Sequence, residues 1–235
     1  MSSICYSSYH LSCRRVFHIN YAAQVCVCIV SDKYDFDETE NESNHEVNQE
    51  ESEDEEPSKA IFSGKKAIVG KEDADRISQQ GFYGERLPNA ELELSPIEML
   101  HLIERSRIVV ETPAGNVMDA EDIVSQVSQT DKNLWSKYLV FRDLRSRGYA
   151  VRSGFGSGIG FRVYERGDKP GNSVANQLVY VLKEGNPISL NELDLVTETA
   201  ATSRKELVFA LVDQNGEVNY YTVARMELQK IGDYE

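Results

Sequence analysis

The sequence predicts an α+β protein, with a small α/β N-terminal domain followed by a mixed-sheet C-terminal domain. Three observations predict it. Apolar residues at helical spacing take turns along the chain with short β-branched runs, so no single period dominates. Ser95-Pro96-Ile97-Glu98 is a helix start, and Asn215-Gly216 is a hairpin turn. A long acidic tract, poor in apolar residues, sets the first residues apart from all that reads as folded. The chain has 235 residues, enough for two domains with ordinary cores.

Residues 1–58 read as a disordered leader. Positions 32–58 hold 13 acidic residues and one lysine. Such a tract buries too little apolar surface to offset the entropy of ordering it. Residues 1–31 show no clear period. They contain all four cysteines, Cys5, Cys13, Cys26 and Cys28, so no disulfide framework staples the folded part. Cys26-Val27-Cys28 lacks the paired CxxC spacing of a zinc site. No metal and no cofactor is expected, and reducing, cytoplasmic surroundings fit. The longest apolar patch, positions 21–30, is about half the length a membrane span requires and has no small-residue cleavage pattern after it. Neither a membrane helix nor a secretory signal is expected. The formal charge of −14 lies mostly in the tract, so it does not argue against a nucleic-acid partner for the folded part.

Residues 59–130 form the N-terminal domain. Ala67-Ile68-Val69 reads as a strand, 71–80 as a helix and Gly81-Phe82-Tyr83-Gly84 as a turn. A helix then starts with Ser95 as N-cap, Pro96 in the first turn and Glu98 three residues after the cap. Ile108-Val109-Val110 is a strand. A helix over 119–130 turns Ile123, Val124 and Val127 to one side.

Residues 131–235 form the C-terminal domain. A helix over 132–147 repeats Leu134, Tyr138, Phe141 and Leu144 at helical spacing, and Gly148 ends it. Strands follow at 149–155, 160–165 and 177–183. A helix over 189–201 points Leu190, Leu193 and Val196 inward. Strands 207–212 and 218–223 close the chain around the Asn-Gly turn. A sheet of four or five strands results.

Two local patterns bear on chemistry. The glycines of Gly154-Phe155-Gly156-Ser157-Gly158-Ile159-Gly160 miss the GxGxxG spacing by one position, and a strand rather than a helix follows them. A hairpin turn fits this better than a phosphate cradle. The run Arg142-Asp143-Leu144-Arg145-Ser146-Arg147 reads either as a solvated helix face or as a basic patch for phosphates, continued by Arg152, Arg162, Arg166 and Lys169. Glu192 and Asp194, two apart on a helix, do not share a face and make no acid/base pair.

The stretch Tyr138-Leu139-Val140-Phe141-Arg142-Asp143-Leu144-Arg145-Ser146-Arg147-Gly148-Tyr149 resembles the YxVYRDLRxRGY segment of archaeal tRNA-intron endonucleases. The resemblance continues through Gly160-Phe161-Arg162-Val163-Tyr164-Glu165-Arg166-Gly167, Gln177-Leu178-Val179-Tyr180-Val181 and Ser203-Arg204-Lys205-Glu206-Leu207-Val208. In the N-terminal domain it rests on Gly81-Phe82-Tyr83-Gly84 and Leu94-Ser95-Pro96-Ile97-Glu98. It implies a restriction-endonuclease-like C-terminal domain. It also implies metal-independent RNA cleavage by a tyrosine base, a histidine acid and a charge-stabilising lysine, leaving 2′,3′-cyclic phosphate and 5′-hydroxyl ends. The tyrosine falls on Tyr164 and the lysine on Lys205. The histidine falls on Val174. The family's substrate-clamping arginine aligns with Glu198, and an acidic residue before Phe161 is replaced by Gly160.

The resemblance therefore implies a structural subunit that lacks the general acid. Its partners would be pre-tRNA with a bulge-helix-bulge and a catalytic subunit, assembled as a heterotetramer through the C-terminal sheet edge at 218–223. Two alternatives stay open: an active subunit that borrows its acid from elsewhere, or an RNA-binding scaffold with no cleavage role. Arg142, Arg145, Arg147, Arg152 and Arg162 are the candidate RNA contacts.

Overall fold

The computed structural model describes residues 25–30, 56–156 and 158–227. The acidic tract up to position 55 lies outside the described residues. In the N-terminal half, β2 (Ser58–Ser63) and β3 (Lys66–Val69) form a hairpin after the first strand, β1 (Val25–Val30). Then come α1 (Lys71–Gln79), β4 (Glu85–Arg86), β5 (Leu92–Leu94), α2 (Pro96–Glu104), β6 (Ile108–Glu111), β7 (Val117–Met118) and α3 (Ala120–Ser128). The C-terminal half runs α4 (Leu134–Ser146), β8 (Ala150–Ser153), β9 (Phe161–Tyr164), β10 (Gln177–Lys183), α5 (Leu190–Ser203), β11 (Glu206–Val212) and β12 (Val218–Glu227).

The helix starts are built as the sequence predicts. Ser95 Oγ accepts from the Glu98 amide while the Glu98 carboxylate accepts from the Ser95 amide, a complete capping box. Asp119 and Asp122 repeat it at α3. Gly148, at φ +84°, ends α4 in the left-handed region that favours glycine.

Two mixed six-stranded sheets result, ordered β4-β5-β3-β2-β6-β7 and β1-β12-β11-β10-β9-β8. In the second, β10 and β11 are parallel and joined by α5, while the other pairs are antiparallel. Alternation along its central strands sorts the side chains by face. Val179, Val208, Ala210 and Val212 share a core with Tyr138, Val140, Phe141 and Leu144 of α4. Leu178, Tyr180, Leu207 and Phe209 face Val196 and Ala200 of α5. The α4 core is continuous with that of the first sheet through Met99, Leu102, Ile123 and Val127. No helix among the described residues is long and apolar enough to cross a membrane.

Several expectations need correction. The C-terminal sheet has six strands, not four or five, because Val25–Val30 adds to β12 in antiparallel register from Val25↔Glu227 to Val30↔Thr222. These six residues sit inside the stretch read as a leader without structure. β12 is ten residues long and would otherwise present a row of unpaired backbone groups, which β1 takes up. The edge at 218–223 is therefore covered over its last two positions, Thr222 and Val223, by the chain itself. β2, β4, β5 and β7 have no counterpart in the sequence reading. Leu190 is exposed rather than inward, because it opens the first turn of α5 before the helix seats on the sheet at Val196.

Candidate functional site

Three neighbouring strand ends place the family positions together. Tyr164 ends β9 and pairs with Ala150 at the start of β8. Gln177 of β10 lies opposite both Val163 of β9 and Glu206 of β11, so the residues just before β10 run between Tyr164 and Lys205. Backbone bonds fix this run: the Asn176 amide donates to Val163 O at 3.0 Å, and the Glu206 amide donates to Asn176 O at 3.0 Å. Lys205 Nζ donates to Ala175 O. Ala175 packs in a small cluster with Ala150 and Tyr164, and Phe82 leans against it. The Tyr164 ring is 7% exposed. Its hydroxyl has no hydrogen bond among the described residues.

Val174, just before Ala175 in this run, is 73% exposed. Valine has no proton to give at the position where the resemblance puts the histidine. Glu198 is exposed one turn before the end of α5. Gly160 lies against Val181, where an added Cβ would come within 3.1 Å of that side chain. The described residues hold one histidine, His101 of α2, which is 2% exposed. It packs between Tyr83 and Phe141, with ring centroids 5.9 and 5.4 Å away, and neither ring nitrogen has a partner. Burial first, then Arg105 and Arg145, lowers its pKa to about 4. A sealed, neutral imidazole is not placed to hand a proton to a ligand.

The candidate arginines divide into two groups. Arg147 binds the Asp143 carboxylate through Nε at 2.9 Å and Nη2 at 3.2 Å, and it lies over the Tyr220 ring. Arg145 lies 4.6 Å over the Tyr83 ring and donates to Tyr149 O. Gly81 makes room for it, since a Cβ there would meet Arg145 Nη2 at 2.4 Å. Arg142 pairs with Glu104 at 3.5 Å. These three tie α4 to its neighbours, and Arg166 sits over Tyr149.

Arg152 and Arg162 instead line a cleft of about 460 Å³ between the two sheets, together with Tyr164. Arg152 donates to Gly84 O, and Arg162 Nε donates to Ser153 O at 2.9 Å. Lys66 and Arg86 reach the cleft from the N-terminal half and pair with Glu93 and Asp75. The sequence reading missed these two. They stand far from Arg152 along the chain, and no local pattern joins them. The glycine-rich run is the hairpin expected: a Cβ on Gly154 would come within 2.0 Å of Ile159 O.

Comparison with known proteins identifies the family. The model of the tRNA intron endonuclease N-terminal domain matches residues 58–124, and that of the tRNA intron endonuclease catalytic C-terminal domain matches residues 134–220. The tRNA-splicing endonuclease of Methanococcoides burtonii is 35% identical over 164 residues, covering 70% of this chain and 45% of that protein. That of Methanococcus vannielii is 34% identical over 161 residues, covering 68% of this chain and 89% of that protein. That of Methanothermobacter thermautotrophicus is 35% identical over 150 residues, covering 64% and 86%. The chain thus spans less than half the length of the Methanococcoides relative and most of the length of the other two. By both domain models and by these relatives, the chain belongs to the tRNA intron endonuclease family.

Proposed function

We propose that the chain is a structural, non-cutting subunit of a heteromeric tRNA-intron endonuclease. The observation that supports this is Val174, 73% exposed, at the position where the resemblance puts the family's histidine. General acid catalysis contributes about 10²–10⁴-fold, and without it an alkoxide has to leave unprotonated. Two further observations support the reading. Glu198 puts a negative charge where the family has an arginine, and His101 is sealed in the core.

The substrate is pre-tRNA with a bulge-helix-bulge, cut to 2′,3′-cyclic phosphate and 5′-hydroxyl ends by a partner subunit that carries the complete tyrosine, histidine and lysine set. The assembly is a heterotetramer, and this chain holds the spacing between the cutting sites. Its organisation is a leader to residue 58, an N-terminal domain to residue 130 and an endonuclease-like C-terminal domain thereafter. Arg152 and Arg162 are the arginines placed to meet a phosphate.

A reconstituted complex assayed on a bulge-helix-bulge substrate tests this. Tyr164→Phe and Lys205→Ala here should leave the cleavage rate unchanged, while the equivalent changes in the partner abolish it. A loss of about tenfold or more from the changes in this chain, with assembly intact, would replace the reading with that of an active site using a borrowed acid.

A further inference from the structure

Trp135 is the chain's only tryptophan, and it is 54% exposed in the first turn of α4. Its ring lies against Tyr138, one turn on, with centroids 5.4 Å apart and planes at 36°. One further turn along, the Arg142 guanidinium sits 5.8 Å over the same Tyr138 ring. The three residues, spaced i, i+3 and i+7, form a continuous stripe on one face of the helix. Glu104 of α2 anchors it by accepting from the Tyr138 hydroxyl and pairing with Arg142. Burial and the bond to Glu104 push the Tyr138 phenol well above its ordinary value, so that bond keeps its proton.

We propose that this stripe is a stacking platform for an unpaired RNA base. The proposal rests on the reading above that the chain works on RNA, and it gives that reading a second contact away from the splice-site chemistry. β8 follows the far end of α4 and carries the Tyr164 pairing, so the platform lies roughly 16 Å along the helix from that end. A base presents a flat π face to Trp135 whatever its identity, and a cation on this face meets the attached phosphate. Arg142 is half exposed, and Arg105 at the C-cap of α2 and Lys132 two residues before α4 are exposed and without a hydrogen bond or ion pair among the described residues. A protein anchor would need an apolar surround. Trp135 is instead the one large apolar side chain exposed on α2, α3 and α4 among the described residues.

The experiment titrates the full chain with a short single-stranded oligoadenylate and with an abasic strand of equal length, read by tryptophan fluorescence and by anisotropy. Oligoadenylate should quench Trp135 saturably. Trp135→Ala should weaken its binding about fivefold or more, while Trp135→Phe retains most of it. Arg142→Gln should weaken binding of both strands and lower the salt slope by about 1. The abasic strand should bind wild type and Trp135→Ala alike. Equal oligoadenylate affinity for wild type and Trp135→Ala overturns the proposal. So does a Trp135 signal that responds only to added catalytic subunit, which would make the stripe a protein interface. No cleavage is measured here, so this outcome is independent of the Tyr164 and Lys205 assay.

Discussion

The Tyr220 hydroxyl donates to the Asp143 carboxylate at 2.7 Å, joining β12 to α4 across 77 residues of sequence. The same carboxylate holds Arg147, and the Arg147 guanidinium covers the Tyr220 ring. Burial and the bond to Asp143 push the Tyr220 phenol far up, so it remains a donor at any physiological pH. Tyr220→Phe removes one bond of this set and should cost about 1–2 kcal/mol. Asp143→Ala strands both partners and should cost about 3 kcal/mol or more. Urea unfolding followed by far-UV circular dichroism measures both. A Tyr220→Phe midpoint equal to wild type would mean the bond contributes nothing net.

His101 should make the fold acid-sensitive. Its pKa falls from 6.5 to about 4 in the folded state, so the folded protein favours the neutral ring. The stabilisation is fully present above the unfolded value and is lost as pH drops from about 6.5 through 4, amounting to about 3 kcal/mol. Arg105, Arg142 and Arg145 oppose protonation, and Glu104 favours it. The stability-versus-pH slope between these limits should flatten in His101→Leu, which also removes two unpaired nitrogens. An unchanged slope in that variant assigns the acid sensitivity to other groups.

The hairpin glycine Gly154 should not tolerate a side chain. Its added Cβ would meet backbone at Ile159 O and Ile159 C, which cannot rotate away. Gly154→Ala should cost about 1–3 kcal/mol, whereas Gly167→Ala, with open space but φ +89°, should cost only about 1 kcal/mol through backbone strain. Thermal melts of the two variants side by side give the ranking, and a reversed order would sink this account of the turn.

A chain beginning at Glu56 should melt cooperatively, since the buried apolar residues among those described lie between Ala60 and Val223. It should also self-associate more than the full chain, because removing β1 bares the backbone of β12. Light scattering across a concentration series separates the two forms. Equal mass for both at every concentration would show that β1 does not protect this edge.

What the sequence determined by itself was local. Ser95 and Glu98 specify the start of α2, Gly148 the end of α4 and Asn215-Gly216 the last hairpin, because caps and turns are decided by residues within one turn of each other. The long matched run also pointed to Tyr164, Val174 and Lys205 as the family's positions. The short strands β4 and β7 were not legible, since two residues carry no period. Neither was β1, whose place depends on a partner about 200 residues away. The arginines of α4 show the division most clearly. In sequence, Arg142, Arg145 and Arg147 are as basic as Arg152 and Arg162. Packing against Tyr83 and Asp143 commits Arg145 and Arg147 to internal partners, and Arg142 pairs with Glu104 but stays half exposed, while β8 and β9 carry Arg152 and Arg162 into the cleft. A charge is fixed by its side chain, but whether it is free to meet a ligand is decided by the counter-charge and ring that folding brings beside it.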